Sequence, residues 1–145
     1  MKKTFTAIVL IFIVIQLIQT KKTNPETDKN LKLAAPEKIM KILKKSCYDC
    51  HSYETKWPWY SNVAPLSWSI VNHVNDGRKA LNFSTWKEIP KEIKTQRLKR
   101  AIKTINNEIM PLHSYLWFHK DAKLSAGDKK ILSKWFKSEL EKLRI

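Results

Sequence analysis

Apolar residues fall along the chain in three regimes. Phe5 to Ile18 is an almost unbroken apolar run, interrupted only by Thr6 and Gln16, with Lys2-Lys3 before it and Lys21-Lys22 after it. Thr20 to Ala35 is polar, contains Asn24-Pro25 and shows no periodicity. From Pro36 onward apolar residues recur at helical spacing. Pro36 suits a first helical turn, and Glu37 favours the positive helix end; Ile39, Met40, Leu43 and Cys47 then line one face. A second helix is predicted from Pro65, with Trp68, Val71 and Val74 as its stripe and Gly77 ending or bending it. Asn82 to Trp86 reads as a turn in which Ser84 caps a short helix. Pro90 opens a longer helix with Ile93, Leu98, Ala101, Ile102 and Ile105 on one face, and Met110-Pro111 interrupts the pattern. The last helix has the strongest signal: Ser125 followed by Asp128 approximates a capping box, and Ile131, Leu132, Trp135, Phe136, Leu140 and Leu143 continue the stripe. No strand-type alternation of useful length and no internal repeat occurs. The expected fold class is all-α.

The first regime reads as an address. A basic start followed by a short apolar stretch is the grammar of export, and no small-x-small cleavage site follows. The predicted organisation is therefore a signal anchor over residues 1–20, a polar tether over 21–35 and one domain over 36–145; a cleaved signal peptide is the alternative. A helix from Thr4 to Thr20 would rise about 25 Å, slightly short of a ~30 Å hydrocarbon core, and flanking lysines can make up the difference. Either way the domain leaves the cytoplasm. The expected location is the inner membrane with the domain on the periplasmic side.

The 145 residues allow one domain with one core. Two glycines and six prolines argue against collagen, low complexity and turn-rich all-β designs, and two cysteines exclude a multi-disulfide scaffold. The formal charge is +15. Residues 1–30 hold five lysines and two acids, so the rest, with 23 basic and 11 acidic residues, keeps +12. Such a domain is steered toward acidic proteins or anionic lipid, unless the charge only solvates helix faces. Export argues against nucleic acid. Six tryptophans are many for this length, and large rings fill a core or line a pocket for a flat ligand.

Cys47-Tyr48-Asp49-Cys50-His51 carries the chemistry. Cys-x-x-Cys-His is the attachment pattern of c-type haem: two thiols three positions apart reach the two vinyl groups, and the next residue is held under the iron. Three alternatives compete. A redox dithiol needs a βαβ context. A zinc site would have to recruit His73, His113 or His119, because no second Cys-x-x-Cys exists. A disulfide here would close a tiny loop and contribute little. The expected cofactor is one haem c, covalent through Cys47 and Cys50, with His51 as the proximal ligand. Candidates for the sixth ligand are Met40, Met110, His73, His113 and His119. Met40 reads as core. Met110, ahead of Pro111, is kept from comfortable α geometry and can point its sulfur at a metal, or can simply be packed. His73, beside Asn72 and Asn75, reads as exposed.

Ser46 to Ser52, Trp57-Pro58-Trp59-Tyr60, Gly77-Arg78, Leu81-Asn82-Phe83-Ser84, Met110-Pro111-Leu112 and His119 to Ser125 together resemble the haem-binding domain family of bacterial cytochrome c-like proteins. The anchor and lysine-rich tether look like members from Bacteroidetes-type bacteria. The resemblance covers nearly the whole chain. It implies cytochrome c-like helices around one covalent haem, with Cys47 and Cys50 binding haem, His51 proximal and Met110 distal. The expected function is a membrane-tethered monohaem c-type cytochrome carrying electrons by outer-sphere transfer, an electron carrier more than a catalyst. Trp57, Trp59, Trp68 and Trp117 would shield the porphyrin. The rival is a haem-based sensor or peroxidase-type enzyme with an open sixth position, in which His113 or His119 does acid/base work.

Overall fold

The computed structural model describes residues 1–144, which form seven α-helices joined by short 3₁₀ turns. The helices are α1 (Lys2–Ile15), α2 (Glu37–Ser46), α3 (Tyr48–His51), α4 (Leu66–Ala80), α5 (Lys91–Asn106), α6 (His113–Leu116) and α7 (Ala126–Lys142). Among the described residues there is no β-strand.

The periodic stripes make one core. Ile39, Ile42 and Leu43 of α2, Leu98 and Ile105 of α5, and Leu132 and Phe136 of α7 meet Leu81, Phe83 and Trp86 from the segment after α4. Helix α5 packs along α7, α2 rests on α7, and α3 packs on α4. Ile93, predicted on the buried face of α5, is 40% exposed. The capping box at α7 forms as predicted: Ser125 Oγ accepts from Asp128 N–H while the Asp128 carboxylate accepts from Ser125 N–H. Ser84 does not cap the following turn, whose first residue is flanked by Thr85. Its hydroxyl instead accepts from the backbone N–H of Tyr53 at 2.9 Å.

The apolar run behaves differently from its prediction. Helix α1 starts at Lys2 and ends at Ile15, about 21 Å long, not over Thr4–Thr20. No described helix is long and apolar enough to cross a membrane. The run is cut short at Gln16. Its amide pairs with both backbone groups of Ala64, donating to the carbonyl at 3.1 Å and accepting from the N–H at 2.9 Å. The chain then turns onto the domain, where Trp68 Nε1 donates to the Ile18 carbonyl at 3.0 Å. The polar segment that follows is docked by its hydrogen bonds. Lys22 reaches Asn62, Asn24 donates to the Thr55 carbonyl, and Arg78 donates to the Thr23 carbonyl and Asn24 Oδ1. Leu33 N–H donates to the Phe83 carbonyl, and its side chain joins the core.

Candidate functional site

The cysteine motif begins where α2 stops. Cys47 leaves the helical path at φ −132°, and α3 restarts at once as a single turn. This break swings Cys50 and His51 onto α4. Gly77 makes the close approach possible. A Cβ there would lie 2.4 Å from the Cys50 carbonyl oxygen and 3.0 Å from Cys50 Cβ. Helix α4 runs straight through Gly77, so the glycine predicted to end or bend it is instead the point where α3 and α4 touch.

The residues just after this contact complete the seat. Arg78 Nε donates to the Ser52 carbonyl at 2.8 Å, with Thr55 Oγ1 accepting from the same guanidinium. The Leu81 carbonyl lies 3.0 Å from His51 Nδ1. Since a carbonyl can only accept, Nδ1 carries the proton and Nε2 presents its lone pair. Phe83 N–H donates to the His51 carbonyl at 2.8 Å, and the Phe83 ring stacks on Tyr48 at 5.4 Å. Burial pushes the His51 pKa down, which keeps the imidazole neutral.

Both cysteines are free and half-buried. The surrounding protein, and then the neighbouring Cys50, push Cys47 up to about 12; burial and Asp49 push Cys50 up to about 11. A redox dithiol needs its thiolate stabilised, so this environment and the absence of described strands both oppose that alternative. No group of three or more His, Cys, Asp or Glu side chains suited to a metal gathers among the described residues.

Cys47, Cys50 and His51 face a cleft of about 190 Å³ whose other walls include Met110, Pro111 and Leu112. A second cavity of about 440 Å³ adjoins it, sharing Asp49, Cys50, His73, Leu112 and Tyr115. Met110 thus borders the same cleft as the motif. Its placement starts at the end of α5. Glu108 adopts φ 59°, and the N–H groups of Glu108 and Ile109 return to the carbonyls of Ile105 and Thr104, a closure usually made with glycine. The chain is thereby reversed toward the cleft. Met40 packs against the core with its sulfur 4.0 Å from the Tyr48 hydroxyl, away from the cleft. His113 is exposed and lines neither cavity, whereas His119 lines the larger one and stacks on Tyr115 at 4.1 Å. His73 is exposed, as predicted, yet it lines both cavities. Of the four tryptophans expected to shield a porphyrin, Trp117 alone lines either of these two cavities. Trp59 is 77% exposed, and Trp68 faces the N-terminal segment. Tyr60, Tyr115 and Phe118 supply the aromatic wall in their place. Tyr115 carries no sequence-level signal of its own, and the signal at Gly77, a helix breaker and part of the resemblance, does not point to contact with Cys50.

An all-α domain with a Cys-x-x-Cys-His turn over an apolar cleft, its histidine set to ligate through Nε2, defines a haem-binding protein. The chain belongs to the haem-binding domain family, whose model matches residues 10–138. The match takes in the end of α1 and the whole docked segment as well as the helices. Among curated proteins and solved structures, none matches the chain. The residues fit the group: two thiols at the spacing of covalent haem c, a neutral oriented imidazole and a thioether line one cleft.

Proposed function

We propose that the protein is a monohaem c-type cytochrome, attached to a membrane through α1, that carries electrons by outer-sphere transfer. The observation behind this reading is the convergence of Cys47, Cys50, His51 and Met110 on one cleft, with His51 Nδ1 already committed to the Leu81 carbonyl. Haem, when bound, supplies the one-electron Fe(III)/Fe(II) couple. Cys47 and Cys50 hold it covalently. His51 Nε2 and the Met110 sulfur would be the protein's two ligands to its iron, leaving no coordination site for a substrate. Methionine in place of a second histidine raises the reduction potential. The aromatic wall keeps water from the buried face, and the leucine carbonyl on His51 fixes ring orientation and raises ligand basicity.

Helix α1 supports the membrane reading. The large apolar residues from Phe5 to Val14 are all exposed, from Val9 at 39% to Phe5 at 70%, and no residue of the helix is buried against the domain. A helix apolar all round needs an apolar environment. At about 21 Å it is shorter than the ~30 Å hydrocarbon core, and the lysines at both ends reach the headgroups. The haem domain then lies on the periplasmic side of the inner membrane, and its basic surface suits an acidic redox partner.

A sensor or peroxidase-type reading draws on one observation: His73 and Arg100 both line the smaller cavity. The optical spectrum separates the two. Under the cytochrome reading, the denatured protein keeps its haem on a gel, Cys47→Ala with Cys50→Ala abolishes the haem stain, and the oxidised protein is low-spin with the weak far-red band of thioether ligation. A colourless exported protein overturns the cytochrome reading. A high-spin spectrum favours the rival. Membrane attachment predicts fractionation with membranes and resistance to salt extraction.

A further inference from the structure

We propose that Tyr115 and Asp49 form a latch that fixes the Met110 segment over the Cys-x-x-Cys-His turn, making Tyr115 a positioning residue for the sixth ligand. The proposal rests on the reading of Met110 as that ligand.

Asp49 stands between the two cysteines on α3, and its carboxylate is used on both sides. Oδ2 accepts from the Tyr115 hydroxyl at 2.7 Å. Oδ1 accepts from the Lys56 backbone N–H at 3.0 Å, while the Asp49 carbonyl accepts from Thr55 Oγ1 at 2.7 Å. The carboxylate is therefore held firmly from the motif side before Tyr115 binds it. Tyr115 is equally constrained. It sits on the single turn of α6, its ring stacks on His119 with 13° between planes, and its carbonyl lies 3.1 Å from His119 Nδ1. Burial and the Asp49 carboxylate together push the Tyr115 phenol well above its ordinary range, so the phenol stays a donor.

The Met110 segment is tied at two ends. Upstream, the N–H groups of Ile109 and Met110 donate to the Thr104 carbonyl on α5. Downstream, Pro111 and Leu112 lead directly into α6. Among the described residues, no hydrogen bond other than Tyr115–Asp49 joins residues 107–119 to Cys47–His51. The upstream tie sets the segment against α5. The downstream tie alone sets it against the turn that carries Cys50 and His51. A neutral hydroxyl on a carboxylate is among the stronger hydrogen bonds, and its loss shifts an equilibrium by about tenfold or more.

The test is cyanide binding to the oxidised full-length holoprotein, read with the far-red thioether band. Tyr115→Phe keeps the ring and its stack but deletes the hydroxyl. It is expected to retain covalent haem and helicity, weaken the band and tighten apparent cyanide affinity about tenfold. Asp49→Asn is the conservative partner. Its amide oxygen can still accept from Lys56 while its amide donates to the tyrosine oxygen, so the shift should be smaller. Asp49→Ala should reproduce the tyrosine effect, and it stands in for Tyr115→Phe if that variant does not fold. In a Met110→Ala background, Tyr115→Phe should change cyanide affinity no further. If Met110→Ala itself leaves iron closed to cyanide, the ligand assignment fails. If Met110→Ala opens iron but Tyr115→Phe, or Asp49→Ala in its place, binds cyanide as the parent does, the latch is wrong and the ligand assignment stands.

Discussion

Gly77→Ala is a sharp test of how the motif is seated. The added methyl would lie 2.4 Å from the Cys50 carbonyl oxygen, 3.0 Å from its carbon and 3.0 Å from Cys50 Cβ. The nearest atom is backbone, so no side-chain rotation relieves the clash. Ordinary contact begins at 3.4 Å, so α3 and α4 must separate by about 1 Å at this point. Overpacking of this kind costs about 1–3 kcal/mol. Alanine's better helix propensity offsets about 1 kcal/mol of it. With backbone as the obstacle the upper part of the range applies, leaving a net loss of about 1–2 kcal/mol and a midpoint about 3–8 °C lower. The separation also carries Leu81 away from His51. Their 3.0 Å hydrogen bond has little room before it exceeds hydrogen-bonding distance. Thermal unfolding of the holoprotein and its reduction potential should therefore move together. A Gly77→Ala protein with an unchanged or higher midpoint and the parental potential would refute the reasoning, because helix propensity alone predicts a gain.

Met110→Ala should leave haem attached, lower the reduction potential and admit carbon monoxide or cyanide, while Met110→His should stay six-coordinate and low-spin at lower potential, all read by titration and optical spectra. Glu108→Gly removes a side chain from a left-handed position and should stabilise by about 0.5–1 kcal/mol in denaturant melts, since the exposed Lys129 pair it gives up is worth little. Arg78→Ala should cost about 2–3 kcal/mol and expose residues 16–35 to limited proteolysis, because that guanidinium joins Thr23 and Asn24 to Ser52 and Thr55. Removing residues 1–14 behind a cleavable signal should release a soluble holoprotein with the parental spectrum, whereas removing 1–30 should lower its stability as well, because Gln16, Lys22 and Asn24 are lost.

What was legible in the sequence is what local chemistry determines. The α7 start could be read because Ser125 and Asp128 bond to each other's backbone within one turn. The cleft's cysteines and histidine could be read because their spacing is itself the constraint. The rest depends on distant partners. Gln16 looks like a flaw in an apolar run until Ala64 is beside it, and then it explains why α1 stops at Ile15. Glu108 gives no warning that it takes a left-handed conformation, since the residue expected there is glycine. His73 was readable as exposed but not as a cavity wall, because that depends on where α4 crosses α3. The aromatic wall followed the same logic: composition promised large rings but could not say that Tyr60, Tyr115 and Phe118 would take the places expected of Trp57, Trp59 and Trp68.

One eight-residue segment, Gly77 to Ser84, explains why the family resemblance extended beyond the cysteine motif. Gly77 admits the Cys50 carbonyl, Arg78 holds the Ser52 carbonyl, and Leu81 orients His51. Phe83 then holds the His51 backbone and packs on Tyr48, and Ser84 receives the Tyr53 N–H. Each tie is made to a residue in or just after Cys47–His51, so the segment acts as a template against which the short α3 turn is shaped. A four-residue helix cannot hold itself, because nucleation is unfavourable and its first turn has no preceding hydrogen bonds. Its geometry must come from outside. The pattern Gly77-Arg78 followed by Leu81-Asn82-Phe83-Ser84 is thus the spatial complement of the haem motif. It is as necessary to presenting His51 Nε2 as the cysteines are to presenting thiols.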